Sequence, residues 1–292
     1  MNKKSQKTAI ALGIAAILVT VAVAVALTNN APADEKKALK FGYVLWDGEI
    51  ASTNVLSLVL QEAGYDVEMI NVDAGILYQG LAGGELDFTV SAWLPATQKN
   101  YWDIYGEDIV SVATNLEGCK IGLAVPSYVT SVNNIGDLKN YTSEFQGRIV
   151  GIDPGAGMMT NTEDAINVYG LDYELEASSS AAMLAELTRA YNANEWIVVT
   201  LWSPHWAFVN WDLKYLEDPE GVFGGAEHVQ TLARTGFQAD HPEAYSIIER
   251  FNWTQEDIQS VMMDISEGMD EKAAAQKWID ANREAVDRWI YG

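Results

Sequence analysis

The sequence predicts an α/β protein of two similar, doubly wound lobes, with the chain crossing between them more than once. Three observations carry this. The chain opens, from Phe41, with a strand–helix–strand–helix–strand series, and such alternation builds a parallel sheet covered by helices. A second strand–helix series begins at Arg148. A length of 292 residues exceeds one comfortable core and suits two.

The elements follow in order. Phe41–Leu45 is a short apolar strand leading into Trp46, and Ala51–Ala63 is a helix stopped at Gly64. Asp66–Val72 is a second strand, Ile76–Ala82 a short helix before Gly83-Gly84, and Phe88–Ala92 a third strand leading into Trp93-Leu94-Pro95. Trp102–Tyr105 lies in a polar helix or loop. Lys120–Val125 is a strand ended by Pro126, and Val132–Leu138 is a loop opening a short helix. Arg148–Ile152 is a strand running into Gly155-Ala156-Gly157. Asn161–Tyr169 is a helix, Tyr173–Glu176 a strand, and Ser180–Asn192 a helix with Ser178, Ser179 and Ser180 as capping hydroxyls. Ile197–Leu201 is a β-branched buried strand leading into Trp202, where Ser203-Pro204 stops it. Thr231–Gly236 is read as a crossing back. Pro242–Phe251, Gln255–Glu267 and Glu271–Trp289 are helices, the last with Trp278 and Trp289 on its apolar stripe and so in the core.

Composition narrows the function. The net charge is −23, so no basic surface exists to displace counterions from nucleic acid. Lys3, Lys4 and Lys7 precede an apolar run, Thr8–Leu27, and residues 1–34 are read as a signal peptide or an N-terminal membrane anchor, which places the protein outside the cytoplasm. Without Met1–Ala33 and its three lysines the charge is about −26, a value that keeps a protein dispersed in salt. Cys119 is the only cysteine, so neither an intrachain disulfide nor a cysteine metal site is expected.

Three tryptophans stand at three strand tips: Trp46, Trp93 and Trp202. Strand tips are where α/β folds bind ligands. Each ring on its own reads as packing; three in equivalent places point to an aromatic site. Gly155-Ala156-Gly157-Met158-Met159 sits between a strand and a helix, either as a plain tight turn or as an anion site of unpaired N–H groups. The full dinucleotide fingerprint fails there, because Asn161-Thr162 stands where the third glycine belongs. Asp47 and Glu49 flank the Trp46 corner and read as helix caps, a cation site or an acid/base pair. Ser203 and His205 could form a catalytic pair, but i,i+2 side chains on extended backbone point apart and no nucleophile elbow is present. His228 and His241 lack metal-ligand spacing. No catalytic residue, metal or cofactor is therefore expected. Together the motifs describe an aromatic box for a cation facing a turn for an anion. A quaternary ammonium, having no N–H, is held by aromatic faces, each contact worth about 0.5–2 kcal/mol.

Four segments now carry a resemblance: Trp46-Asp47-Gly48-Glu49-Ile50-Ala51-Ser52-Thr53, Ser91-Ala92-Trp93-Leu94-Pro95, Gly151–Met159, and Trp202-Ser203-Pro204-His205-Trp206. Over nearly all of Lys40–Trp289 the chain resembles the glycine betaine/proline betaine substrate-binding proteins of ABC importers. The resemblance implies the type II periplasmic-binding-protein fold, with lobes of 40–125 plus 230–292 and of 126–229 joined by a hinge, the ligand in the cleft between them, and no enzymatic activity. Trp46, Trp93 and Trp202 would box the trimethylammonium, and the Gly157 and Met158 amides would hold the carboxylate. Family members carry a histidine five residues after the box tryptophan of the Ala-Trp-Leu-Pro motif, and this chain has Gln98 there, a donor without charge. The implied partners are a small quaternary ammonium solute and a membrane ABC permease, with the receptor domain monomeric and serving osmoprotection. The alternatives are a choline, carnitine or proline betaine receptor, or a sensor module reporting occupancy to a membrane signalling protein.

Overall fold

Strand β1 (Ala38–Tyr43) starts the fold, and its Phe41 pairs with Phe88 of the parallel strand β3 (Phe88–Leu94), the two rings 4.3 Å apart. The structure is a computed structural model describing residues 37–292; the expected signal or anchor in 1–34 lies outside them. Helix α1 (Asp47–Glu62) follows β1, and β2 (Asp66–Asn71) pairs parallel with β1 on its other side. Helix α2 (Ala74–Gly83) closes on Gly84, which adopts the left-handed conformation that glycine tolerates best. The opening series is thus parallel as expected, and α3 (Lys99–Tyr105) follows β3.

The sheet does not stay parallel. Strand β4 (Ile109–Pro126) is 18 residues long, and β9 (Glu227–Arg234) lies antiparallel between β3 and β4. The region read as a crossing back is therefore an inner strand of the first sheet. The start of β4 escapes sequence analysis because Ser111, Thr114, Asn115 and Glu117 interrupt its apolar pattern. Register shifts along its pairing with β9 also break the two-residue period.

β4 also joins the two halves. Up to Cys119 it pairs with β9; from Lys120 it pairs with β7 (Val199–Ser203), and its end pairs with β8 (Leu213–Tyr215). The change of partner falls between Cys119 and Lys120. The second sheet is completed by β5 (Arg148–Val150) and β6 (Glu174–Glu176), with α4 (Gly157–Tyr169), α5 (Ser180–Ala193) and the short α6 (Ala207–Asn210) in its connections. The architecture is two α/β lobes with mixed sheets.

The chain ends in helices α7 (Phe237–Asp240), α8 (Pro242–Arg250), α9 (Gln255–Ser266), α10 (Glu271–Ala281) and α11 (Arg283–Tyr291). The helix expected from Glu271 to Trp289 is broken at Asn282, whose side-chain amide donates to the Trp278 carbonyl at 2.9 Å. A side-chain bond to the backbone competes with helix continuation. Trp278 and Trp289 stack in the core at 5.6 Å, as their spacing predicts.

Phe88 is fully buried between Phe41 and Phe237. Truncating a buried phenylalanine costs about 3–5 kcal/mol. Phe88→Ala should lose that much in urea denaturation, and a loss below about 1 kcal/mol would contradict the packing described.

Candidate functional site

Trp93 sits on β3 opposite Val229, and Trp202 on β7 opposite Ile121, so two different sheets deliver two rings to one place. The peptide bonds that follow them, Leu94–Pro95 and Ser203–Pro204, are both cis. Trp46 is the residue from which α1 starts, and its indole N–H donates to Asp153 at 3.2 Å, from the first lobe to the second. All three rings are within 6% of full burial. They line one cavity together with Thr97, Ile121, Ile152, Ala156, Gly157 and Met158. About 280 Å³ of space free of protein atoms, part of it open to solvent, lies among these residues, at the small end of ligand pockets.

The opposite wall is the start of α4. Its first two N–H groups, on Gly157 and Met158, have no intrahelical acceptor by geometry, and they donate to no other acceptor among the described residues. The positive end of the helix dipole adds to them. Gly157 lies tight against the first lobe: a Cβ there would fall 1.7 Å from the Thr97 carbonyl oxygen. The Tyr101 hydroxyl, on α3, bonds the Gly155 carbonyl across the same seam at 2.8 Å.

The acids near the box are engaged elsewhere. No carboxylate lines the cavity among the described residues. Glu49 accepts the Trp93 indole N–H at 2.7 Å and fixes that ring from behind. Asp47 accepts Trp206 Nε1–H at 2.6 Å and the Ser180 hydroxyl at 2.8 Å, both from the second lobe. Neither side chain caps α1. Burial works to raise the Asp47 pKa, but the His205 imidazole with the Trp206 and Ser180 bonds outweighs it and holds the carboxyl down at about 2. For Glu49 burial wins: its pKa is pushed up to about 7, against the Trp93 bond and with help from the Asp47 charge.

Gln98 is not on the cavity wall. Its Oε1 accepts the Tyr78 hydroxyl and the Trp93 backbone N–H, each at 3.0 Å, which leaves the amide N–H₂ without a partner among the described residues. Ser203 and His205 do not form a pair. Ser203 shares a hydrogen bond with the Tyr215 hydroxyl at 2.9 Å, while His205 Nδ1 accepts the Ala207 N–H at 3.0 Å. His205 instead packs edge-on to Trp202, 4.7 Å between centroids. Sequence analysis missed Thr97 and Ile121 as wall residues. Thr97 lies two residues past the Pro95 turn and Ile121 opposite Trp202, placements that depend on the turn and on strand register.

A solute-sized cavity between two lobes, with aromatic walls from both and a helix N-terminus at one end, defines a solute-binding protein. Comparison with known proteins narrows the class. The chain belongs to the family of substrate-binding domains of ABC-type glycine betaine transport systems, whose model matches residues 37–281. Such substrate-binding proteins are not enzymes, and they work outside the cytoplasm. Among solved structures, lactococcal OpuAC in its closed form with glycine betaine is 42% identical, with a TM-score of 0.83, covering 87% of this chain and all of that one. The glycine/betaine/L-proline-binding protein ProX of Borrelia burgdorferi is also 42% identical, with a TM-score of 0.84, over 87% of this chain and 97% of that one. The glycine betaine/carnitine transport binding protein GbuC of Listeria monocytogenes is 43% identical over 162 residues, 54% of this chain and 52% of that protein. The chain thus spans about half the length of that relative.

The Glu49 pKa carries a sign. A carboxyl whose folded-state pKa lies above its ordinary 4.5 favours the fold while protonated; that contribution is complete below 4.5 and is lost as pH rises through about 7. The loss is on the order of 3 kcal/mol. Glu49→Gln should flatten the fall in urea stability between pH 5 and pH 8. An unchanged slope would assign the titration to another group.

Proposed function

We propose that this protein captures glycine betaine in the box of Trp46, Trp93 and Trp202 and delivers it to a membrane ABC permease for osmoprotection. The observation that supports this most is the make-up of the cavity: three indole faces at one end, two free backbone N–H groups at the other, and no lining carboxylate among the described residues. A trimethylammonium offers no hydrogen to donate, so its affinity comes from aromatic faces, each worth about 0.5–2 kcal/mol and more when dry. A carboxylate suits the Gly157 and Met158 amides at the α4 N-terminus. Gln98 stands behind this cavity rather than in it, its Oε1 accepting the Trp93 backbone N–H, so it supports the box and does not touch the solute. A zwitterion uses both ends. Choline, a cation without a carboxylate, would leave the anion end idle, and Asp47 and Glu49 are already bonded to protein groups.

In this reading the lobes are carried by 38–119 with 227–292, and by 120–226, with the hinge where β4 changes partner. Ligand first meets Trp46 and Trp93; closure then brings Trp202 and the α4 start. Only contacts unique to the closed state shift the population toward it. The apolar run Thr8–Leu27 serves as an export signal or as an anchor holding the receptor near its permease. The receptor domain acts as a monomer.

Trp202→Ala should raise the Kd for glycine betaine at least about 100-fold in titration calorimetry, by removing one aromatic wall and opening the cavity to water. Its far-ultraviolet circular dichroism should match the parent protein. An unchanged Kd would contradict the aromatic box.

A further inference from the structure

Asp47 stands beside the box tryptophan Trp46 but does not line the cavity. It belongs to the first lobe. Both groups that donate to it, the Ser180 hydroxyl at 2.8 Å and the Trp206 indole N–H at 2.6 Å, lie in the second lobe, 133 and 159 residues away in sequence. Ser180 opens α5, and Trp206 directly follows His205. The His205 imidazole is fully buried, with Nε2 3.6 Å from the same carboxylate. Its Nδ1 is occupied by the Ala207 N–H, so the ring proton is on Nε2 and faces Asp47. That distance exceeds a hydrogen bond, yet the N–H dipole points favourably. The other edge of the assembly reaches the box, since His205 meets Trp202 edge to face at 4.7 Å.

We propose that Asp47 is a positioning residue that sets how long this protein holds its solute without touching it, its carboxylate fastening the first lobe to Ser180 and Trp206 of the second when the cleft is shut. Hydrogen bonds to a charged acceptor are stronger than neutral ones, and opening of the cleft would part both donors from Asp47. They act after the solute has entered, so they govern release more than capture. Because Asp47 makes no contact with the cavity, the effect is the same for any solute the box accepts. The magnitude of the effect on glycine betaine rests on the function proposed above; the latch itself does not.

The test uses Asp47→Ala, Ser180→Ala and the double variant. Stopped-flow release of glycine betaine, followed by tryptophan fluorescence, should be about 10- to 100-fold faster in Asp47→Ala, with a smaller increase in Ser180→Ala. The double variant should release no faster than Asp47→Ala, since both changes remove one interaction. Ligand-free thermal melting should stay within a few degrees of the parent, separating a latch from a structural acid. Unchanged release, or fully additive effects, would overturn the proposal. Should the parent protein bind no glycine betaine, the functional reading fails, and the latch is decided without ligand. Paramagnetic relaxation from a spin label on one lobe to amides of the other reports the transiently closed fraction. Asp47→Ala should lower it, and an equal fraction in both proteins would overturn the latch whatever the solute.

Discussion

The site depends on how closely two backbones approach. The Thr97 carbonyl lies where a Cβ on residue 157 would be, so only glycine lets the start of α4 meet the loop after β3. That approach brings two free N–H groups to within one small cavity of three indoles. The loop is itself pinned. The backbone N–H groups of Ala96 and Thr97 donate to the buried carboxylate of Glu227, the first residue of β9, at 2.9 and 3.1 Å. The inner antiparallel strand therefore does more than fill the sheet; it holds one wall of the cleft in register with the other.

Carboxylates stand around this cavity, Glu49 and Glu227 buried and Asp47 and Asp153 half-buried, and each is bonded to protein groups. Glu49 orients Trp93, Asp153 orients Trp46, Asp47 joins the lobes, and Glu227 fixes the Thr97 loop. This division has a physical basis. A quaternary ammonium cannot donate a hydrogen bond, so a carboxylate facing it would lose hydration without full repayment, while an indole face loses little. Acids placed behind the rings add rigidity and a negative background. Glu49 differs from the others in that burial lifts its pKa to about 7, so the support behind Trp93 changes charge near neutrality.

Much of this was legible in the sequence. The three tryptophans and the glycine turn were readable because each falls at the end of a predicted strand, and Trp46, Trp93, Trp202, Gly157 and Met158 meet at one cavity. The parallel opening series was readable from its alternation. Other features depend on pairing between distant segments. The length of β4 was hidden by register shifts and polar residues, and the break at Asn282 by a side-chain bond that no helical periodicity reveals. Asp47 and Glu49 were visible as acids near a helix start, but their partners lie 44 to 159 residues away. Gln98 was readable as a donor, and only the fold shows that its oxygen is already engaged.

The central claim is that one cavity recognises a cation and an anion together. Its most direct test is calorimetric titration of the protein with glycine betaine, tetramethylammonium and acetate under one set of conditions. The account predicts that glycine betaine binds orders of magnitude more tightly than either fragment, because each fragment engages one end and leaves the other unpaired. Tetramethylammonium binding as tightly as glycine betaine would contradict it, since the Gly157 end would then contribute nothing.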